Sequence, residues 1–333
     1  MNDSVLPVWK AWFLILVWFY SMFFRPLFPT RVILALVGEK GSGKTTLLKR
    51  IGRLILGPKF EVTDISDDAK DLDAAFTGQP FVIIDNADRE ITWLDDKLAI
   101  AATGGSIKWR TLYTTNKLAE FPIVAWVGIT SRTPHFRRED VADRLLLINV
   151  ERFDSFSSAN RLDEDIERHR DALMTEVVYM LQQIVGELER QKNLEISTKF
   201  RMADFAEFAV KIAPVLGVQT GDVEQVLRDL TTVQVEFTSL DEPLLLHLDG
   251  WLASGDNIGQ WVETKQLFDQ LHRRWSTTQA GTFPWRDPRR LGQHITSLRS
   301  TLERHYAFEE GNRTSPHTPH GIQHAPRRER PSD

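Results

Sequence analysis

Gly38-Glu39-Lys40-Gly41-Ser42-Gly43-Lys44-Thr45 fits the spacing G-x-x-x-x-G-K-[ST], followed by Thr46. Chemistry with an anion is the direct reading. Glycines let successive backbone N–H groups close around phosphates, and the N-terminus of a following helix adds positive potential. Lys44 would reach the β- and γ-phosphates of ATP, and the Thr45 hydroxyl would hold Mg²⁺. Asp85 ends the apolar run FVII at 81–84. A carboxylate at a strand end beside such a loop is a second Mg²⁺ ligand. The next residue is Asn86, whose amide can orient a water but cannot take its proton. Asp88 or Glu90 is then the candidate base. A third apolar run, IVAWVGI at 123–129, ends in Thr130-Ser131-Arg132, where a polar side chain would stand near the γ-phosphate. Arg137, Arg138 and Arg144 precede another apolar run. They could serve as a finger in a neighbouring subunit's site, or pair on the surface with Glu139, Asp140 and Asp143.

These groups need elements to carry them. VILALV at 32–37 is continuously apolar, as a parallel strand buried on both faces requires. Leu47, Leu48, Ile51 and Leu54 give helical spacing immediately after the loop. Strand, loop and helix therefore stand in the order the motif needs. Of 333 residues, 42% are hydrophobic and 26% charged, which excludes collagen-like and wholly disordered chains. There is no cysteine, which removes disulfide scaffolds, thiol nucleophiles and iron–sulfur clusters and suits a cytoplasmic location. The net charge of −5 means that any nucleic-acid contact must rest on a local patch. AWFLILVWFYSMFF at 11–24 is uncharged. Its fourteen residues rise about 21 Å as a helix against a hydrocarbon core of about 30 Å. A buried helix is the first reading, and a membrane anchor formed by residues 5–24 is the alternative.

The pieces GEKGSGKT (38–45), FVIIDNAD (81–88), ATGGSIKWRTLYTTN (102–116), VGITSR (127–132) and RREDVADRLLLINV (137–150) resemble, in order and spacing, the ATPase domain of superfamily-3-like helicases. The nearest likeness is the phage and plasmid branch related to poxvirus-type primase–helicases. The resemblance implies an AAA+-like P-loop core and a DNA-replication role in a mobile element. It implies Ser131 as the γ-phosphate sensor and Arg144 as the finger acting in trans within a homo-oligomeric ring, for instance a hexamer. The segment after the Asp85 strand is similar to the family's β-hairpin that touches DNA in the ring's channel. Here 107–113 and 118–121 would pair around 114–117, with Lys117 at the tip and Lys108 and Arg110 on the arms. Asp-Asn after the metal-binding strand is common in that branch. No primase region stands ahead of residue 30, so the chain reads as a stand-alone ATPase or as part of a longer product.

Ile166, Leu173, Val177, Leu181, Ile184 and Leu188 predict a long amphipathic helix over 163–192, with further helices over 202–216 and 222–237. A break at 255–258 is followed by two shorter helical patterns and a cluster of arginines that includes Arg289 and Arg290. This suggests a winged helix-turn-helix able to reach DNA phosphates or bases. The expected organisation is an apolar helix (1–29), a P-loop α/β core with a parallel sheet (30–152), a helical lid or lever (153–254), a winged-helix-like module (255–312) and a disordered tail (313–333). The expected function is an ATP-driven DNA-remodelling or unwinding motor. A nucleotide-switched regulatory or defence ATPase and a membrane-tethered ATPase are the rivals.

Overall fold

Ile33–Val37 (β1) is buried along almost its whole length and occupies an interior place in a parallel sheet. The computed structural model describes residues 6–63, 68–110, 118–155, 158–239, 243–253, 261–278, 283–299, 302–303, 306–310 and 321–325. The chain divides into two units, Met1–Phe237 and Thr238–Asp333.

The first unit opens with α1 (Val8–Ser21). After β1 come α2 (Lys44–Leu56), α3 (Ala69–Gly78), β2 (Phe81–Ile84) and α4 (Leu94–Ala102). Next are β3 (Ser106–Arg110), β4 (Leu118–Pro122), β5 (Trp126–Ser131), α5 (Glu139–Ala142) and β6 (Leu145–Asn149). Three helices complete the run: α6 (Ala159–Arg190), α7 (Ala203–Ile212) and α8 (Thr220–Ser239).

The parallel sheet has the order β2-β5-β1-β6. Its registers pair Ile84 with Ile129, Val37 with Ser131 and Val37 with Asn149. All four carboxyl ends therefore meet at one edge. A parallel bridge, Thr63 to Ile84, extends the sheet beyond β2. β5 begins at Trp126 rather than at residue 123, because the N–H groups of Val124 and Ala125 both donate to the Phe76 carbonyl at the end of α3.

The apolar N-terminal stretch is a helix packed into this core. Phe13, Leu14, Val17, Trp18 and Phe19 are buried, and the Trp18 indole donates to the Val32 carbonyl at 3.2 Å. Val8, Trp9 and Trp12 remain exposed. By length and composition Val8–Leu27 could also cross a membrane. α2 and α6 are held together by ions. Arg53 lies 2.5 Å from Asp163, and the Arg170 guanidinium donates to the Arg53 and Ile55 carbonyls, each at 3.3 Å. Both carbonyls lie in the last turn of α2, where the helix dipole favours a cation; the Arg53 carbonyl also accepts from the Gly57 N–H at 3.0 Å.

In the second unit, α9 (Pro243–Ala253), β7 (Trp261–Glu263), α10 (Thr264–Thr278), α11 (Pro288–Ser297), β8 (Ala307–Glu310) and β9 (Gly321–Ala325) surround a core of their own. The strands form an antiparallel sheet, β7-β9-β8. Two expectations change here. The unit starts ahead of residue 255, because Leu244, Leu248 and Trp251 of α9 belong to its core. The tail expected to be disordered from 313 contains a strand, since residues 321–325 pair with both β7 and β8.

Candidate functional site: the edge formed by the carboxyl ends of β1, β2 and β5

Loop 38–43 leaves the carboxyl end of β1 and feeds directly into α2. Gly41 and Gly43 have φ of 85° and 77°, a left-handed backbone that glycine adopts without a Cβ penalty. Lys44 folds back over the loop. Its Nζ donates to the carbonyls of Gly38 (2.6 Å) and Glu39 (2.8 Å) and to Ser42 Oγ (3.0 Å). The Ser42 hydroxyl also donates to the Glu39 carbonyl. Burial lowers the Lys44 pKa against the pull of Asp88 and Asp85. Lys44 is 8% exposed, and its ammonium is bonded to neutral oxygens. An anion placed against it would relieve that desolvation.

Asp85 joins the loop to the sheet. Its Oδ1 accepts from Thr45 Oγ1 at 2.6 Å and from Thr130 Oγ1 at 2.5 Å. Asn86 adopts φ 51°, and its N–H donates to Thr130 Oγ1 at 3.1 Å. Its side-chain amide lies 3.4 Å from Asp85 Oδ2. A carboxylate flanked by two hydroxyls is a hard-oxygen donor set of the kind Mg²⁺ takes. The residues here fit the expected ion.

Ser131 faces elsewhere. Its hydroxyl donates to Asp88 Oδ1 at 2.8 Å and to the Ala87 carbonyl at 3.1 Å. Asp88 also accepts from the Arg132 N–H (2.6 Å), the Arg132 guanidinium (2.7 Å) and the Thr133 N–H (3.2 Å). Burial opposes the charge on Asp88, but these donors outweigh it and hold the carboxyl well below the usual carboxylate range. A carboxylate so saturated is a poor proton acceptor, which counts against Asp88 as a base. Glu90 is exposed on the following turn. Thr130, overlooked in favour of its neighbour, is the β5 hydroxyl that touches Asp85.

Arg144 lies at the opposite edge. It precedes β6, whose Leu145 pairs with Ile33 at the amino end of β1. Strands of about five residues, roughly 16 Å, separate it from its own chain's loop. Its guanidinium donates to the Asp140 carbonyl and lies 3.8 Å from the Asp140 carboxylate. Burial, then Arg201, lowers its pKa. Arg138 bridges Asp96 and Asp140, each at 2.6 Å, and Arg137 packs on the Phe237 ring.

β3 and β4 form the expected antiparallel hairpin, with Lys108 opposite Glu120 and Arg110 opposite Leu118. Lys108 is exposed. Lys117 and the turn lie outside the described residues. In the second unit, Arg289 and Arg290 are exposed on the first turn of α11, which Asp287 caps by accepting from the Arg290 N–H at 2.9 Å.

The structure described as "SCCmec type IV Cch - active helicase" matches with a TM-score of 0.47 at 12% identity, over 96% of this chain and 70% of that one. The apo structure of the NrS-1 C-terminal region (305-718) gives 0.39 at 12% identity over 94% and 70%. JCV helicase gives 0.29 at 12% identity over 69% and 62%. No curated protein matches the chain. The family described as actinomycete integrative conjugative element replication protein matches residues 10–232. That span lies within the first unit and takes in the whole candidate site. The chain belongs to this family of mobile-element replication proteins.

Proposed function

We propose that the chain is a Mg²⁺-dependent ATPase that drives DNA remodelling or unwinding during replication of its mobile element. The observation that carries this reading is the Thr45–Asp85 contact of 2.6 Å at the start of a glycine-loop helix, beside buried Lys44. Gly38, Glu39, Lys40, Gly41, Ser42 and Gly43 would wrap the phosphates with backbone N–H groups. Lys44 would offset their charge, and Thr46 would lie beside them in the first turn of α2. Thr45 and Asp85 would hold Mg²⁺. When bound, the ion supplies charge stabilisation at the transferring phosphoryl group. Asn86 would orient the attacking water.

The position of Arg144 supports assembly into a ring. Arg144 sits at the sheet edge away from its own loop, so a catalytic role for it requires another subunit's site. For the second unit we infer a winged-helix DNA-binding module. The supporting features are the order helix, strand, helix, helix, strand, strand and the exposed Arg289 and Arg290. A cytoplasmic location fits the packing of α1 into the core.

Steady-state ATPase activity with and without single-stranded DNA tests the reading on wild type, Lys44→Ala and Arg144→Ala. The expected result is DNA-stimulated turnover that both substitutions abolish and that returns when the two variants are mixed. A mixed ring pairs an intact loop with an intact finger. One observation favours a second reading. Asn86 and the saturated Asp88 leave no good base next to Asp85. If nucleotide binds tightly while turnover is negligible and indifferent to DNA, the chain is a nucleotide-switched binding protein.

A further inference from the structure

A nucleotide has a phosphate end and a base end, and the sheet order distinguishes the two sides of loop 38–43. Asp85 and Thr130 stand on the β2 and β5 side of β1, and β6 lies on the other side. The metal and γ-phosphate end belongs with Asp85. The base end then falls over β6.

The chain leaving β6 folds back across the loop at that place. The Val150 N–H donates to the Val37 carbonyl at 2.8 Å, and the Phe153 N–H donates to the Gly41 carbonyl at 3.3 Å. A pocket of about 370 Å³ opens between residues 37–39 and 149–152. Beside it stands Phe153. The residue is 56% exposed, yet its ring touches the loop: a Cβ on Gly43 would lie 2.7 Å from the ring's Cε2. Glycine at 43 thus lets the phenyl ring approach the N-terminus of α2. An apolar ring left largely in water contributes little to the core. Its placement at the head of a phosphate-binding helix, next to a pocket, suits a flat ligand.

We propose that Phe153 is the stacking platform for the nucleobase, with the 149–152 segment as the wall of the base pocket, and that it favours purine over pyrimidine triphosphates. This rests on the reading of loop 38–45 as a nucleotide site. Stacking of a base on an aromatic side chain is worth about fivefold to a hundredfold in affinity.

Calorimetric binding of Mg·ATP, Mg·CTP and Mg·tripolyphosphate to wild type, Phe153→Ala, Phe153→Tyr and Lys44→Ala tests it. Phe153→Ala should weaken ATP at least about fivefold, narrow the ATP-to-CTP gap and leave tripolyphosphate unchanged. Phe153→Tyr should bind ATP as wild type does. If Phe153→Ala keeps wild-type ATP affinity, or loses tripolyphosphate to the same extent as ATP, the ring is not a base platform. Wild type binding ATP no better than tripolyphosphate overturns it as well. Lys44→Ala retaining full affinity for both would instead sink the underlying nucleotide reading, and wild type binding none of the three would overturn both.

Discussion

Thr130 Oγ1 donates to Asp85 Oδ1 at 2.5 Å, so β5 helps to orient the carboxylate that ends β2. The same hydroxyl accepts from the Asn86 N–H, at a backbone with φ 51°. One side chain therefore fixes both the proposed metal ligand and the residue proposed to orient water. Thr130→Val keeps the shape and removes both bonds. A hydrogen bond to a charged group contributes about 1.5–3 kcal/mol. Turnover should fall about 10- to 100-fold, while ATP affinity, set mainly by loop 38–45, changes little. Thr130→Ser should restore most of the rate. Steady-state kinetics on the two variants decides; equal activity in wild type and Thr130→Val would remove Thr130 from the site.

Asp88 should make stability depend on acid. Its folded carboxyl titrates below the usual range despite burial, because Arg132, Ser131 and Thr133 donate to it. A depressed pKa gives a stabilising share that is fully present above the unfolded value, near about 4, and is lost as pH falls further. Asp88→Asn should cost about 1–3 kcal/mol at neutral pH. Urea unfolding should show a constant gap between wild type and variant from pH 8 to about 5, closing below about 4. A gap that persists unchanged at low pH would mean that packing, not charge, is responsible.

The loop and Asp85 were legible because their residues are contiguous and the motif dictates its own local geometry. Choosing Ser131 over Thr130 was not settled by sequence. Neighbours on a strand face opposite ways. Which of them meets Asp85 depends on the register that pairs Ile84 with Ile129, a property of two distant segments. The pairing of β3 with β4 was expected from the resemblance of the segment after Asp85 to a family hairpin. β9 was not: residues 321–325 sit in a stretch rich in Pro, His and Arg with no period, and their pairing with β7 and β8 is tertiary. Phe153 was invisible for a similar reason, since its contact with Gly43 exists only because the chain folds back after β6.

Asp95 predicts the opposite pH response. It lies in the first turn of α4, and among the described residues its buried Oδ1 has no hydrogen-bond partner. Burial pushes its pKa up to about 6; Arg138 opposes the rise, and Asp140 and Asp96 add to it. A carboxyl raised above its unfolded value binds a proton more readily in the folded state. Stability therefore declines as pH climbs from about 4 to about 6 and is flat beyond that. Asp95→Asn should raise stability by about 1–2 kcal/mol at pH 7.5 and by almost nothing at pH 4. Thermal melts at the two pH values check this, and a loss of stability at pH 7.5 would show that the ionised form has a partner.

The two proposed DNA contacts differ in what they should read. Lys108 is exposed on the hairpin of the first unit, whereas Arg289 and Arg290 lie on α11 of the second. A lysine that meets a phosphate releases a counterion, so its removal lowers the salt dependence of binding by about 0.7 per contact on single strands and about 0.9 on duplex. Lys108→Ala should weaken single-stranded DNA binding uniformly across sequences, reduce that slope and abolish DNA stimulation of ATP turnover. The Arg289→Ala, Arg290→Ala pair should instead reduce the slope for duplex and leave stimulation by single strands intact. Fluorescence-anisotropy titrations over a range of salt separate the two. The family match ends at residue 232, so the coupling of DNA to ATP turnover should survive any change confined to α11. If Arg289→Ala, Arg290→Ala silences stimulation instead, the second unit, not the hairpin, is where DNA engages the motor.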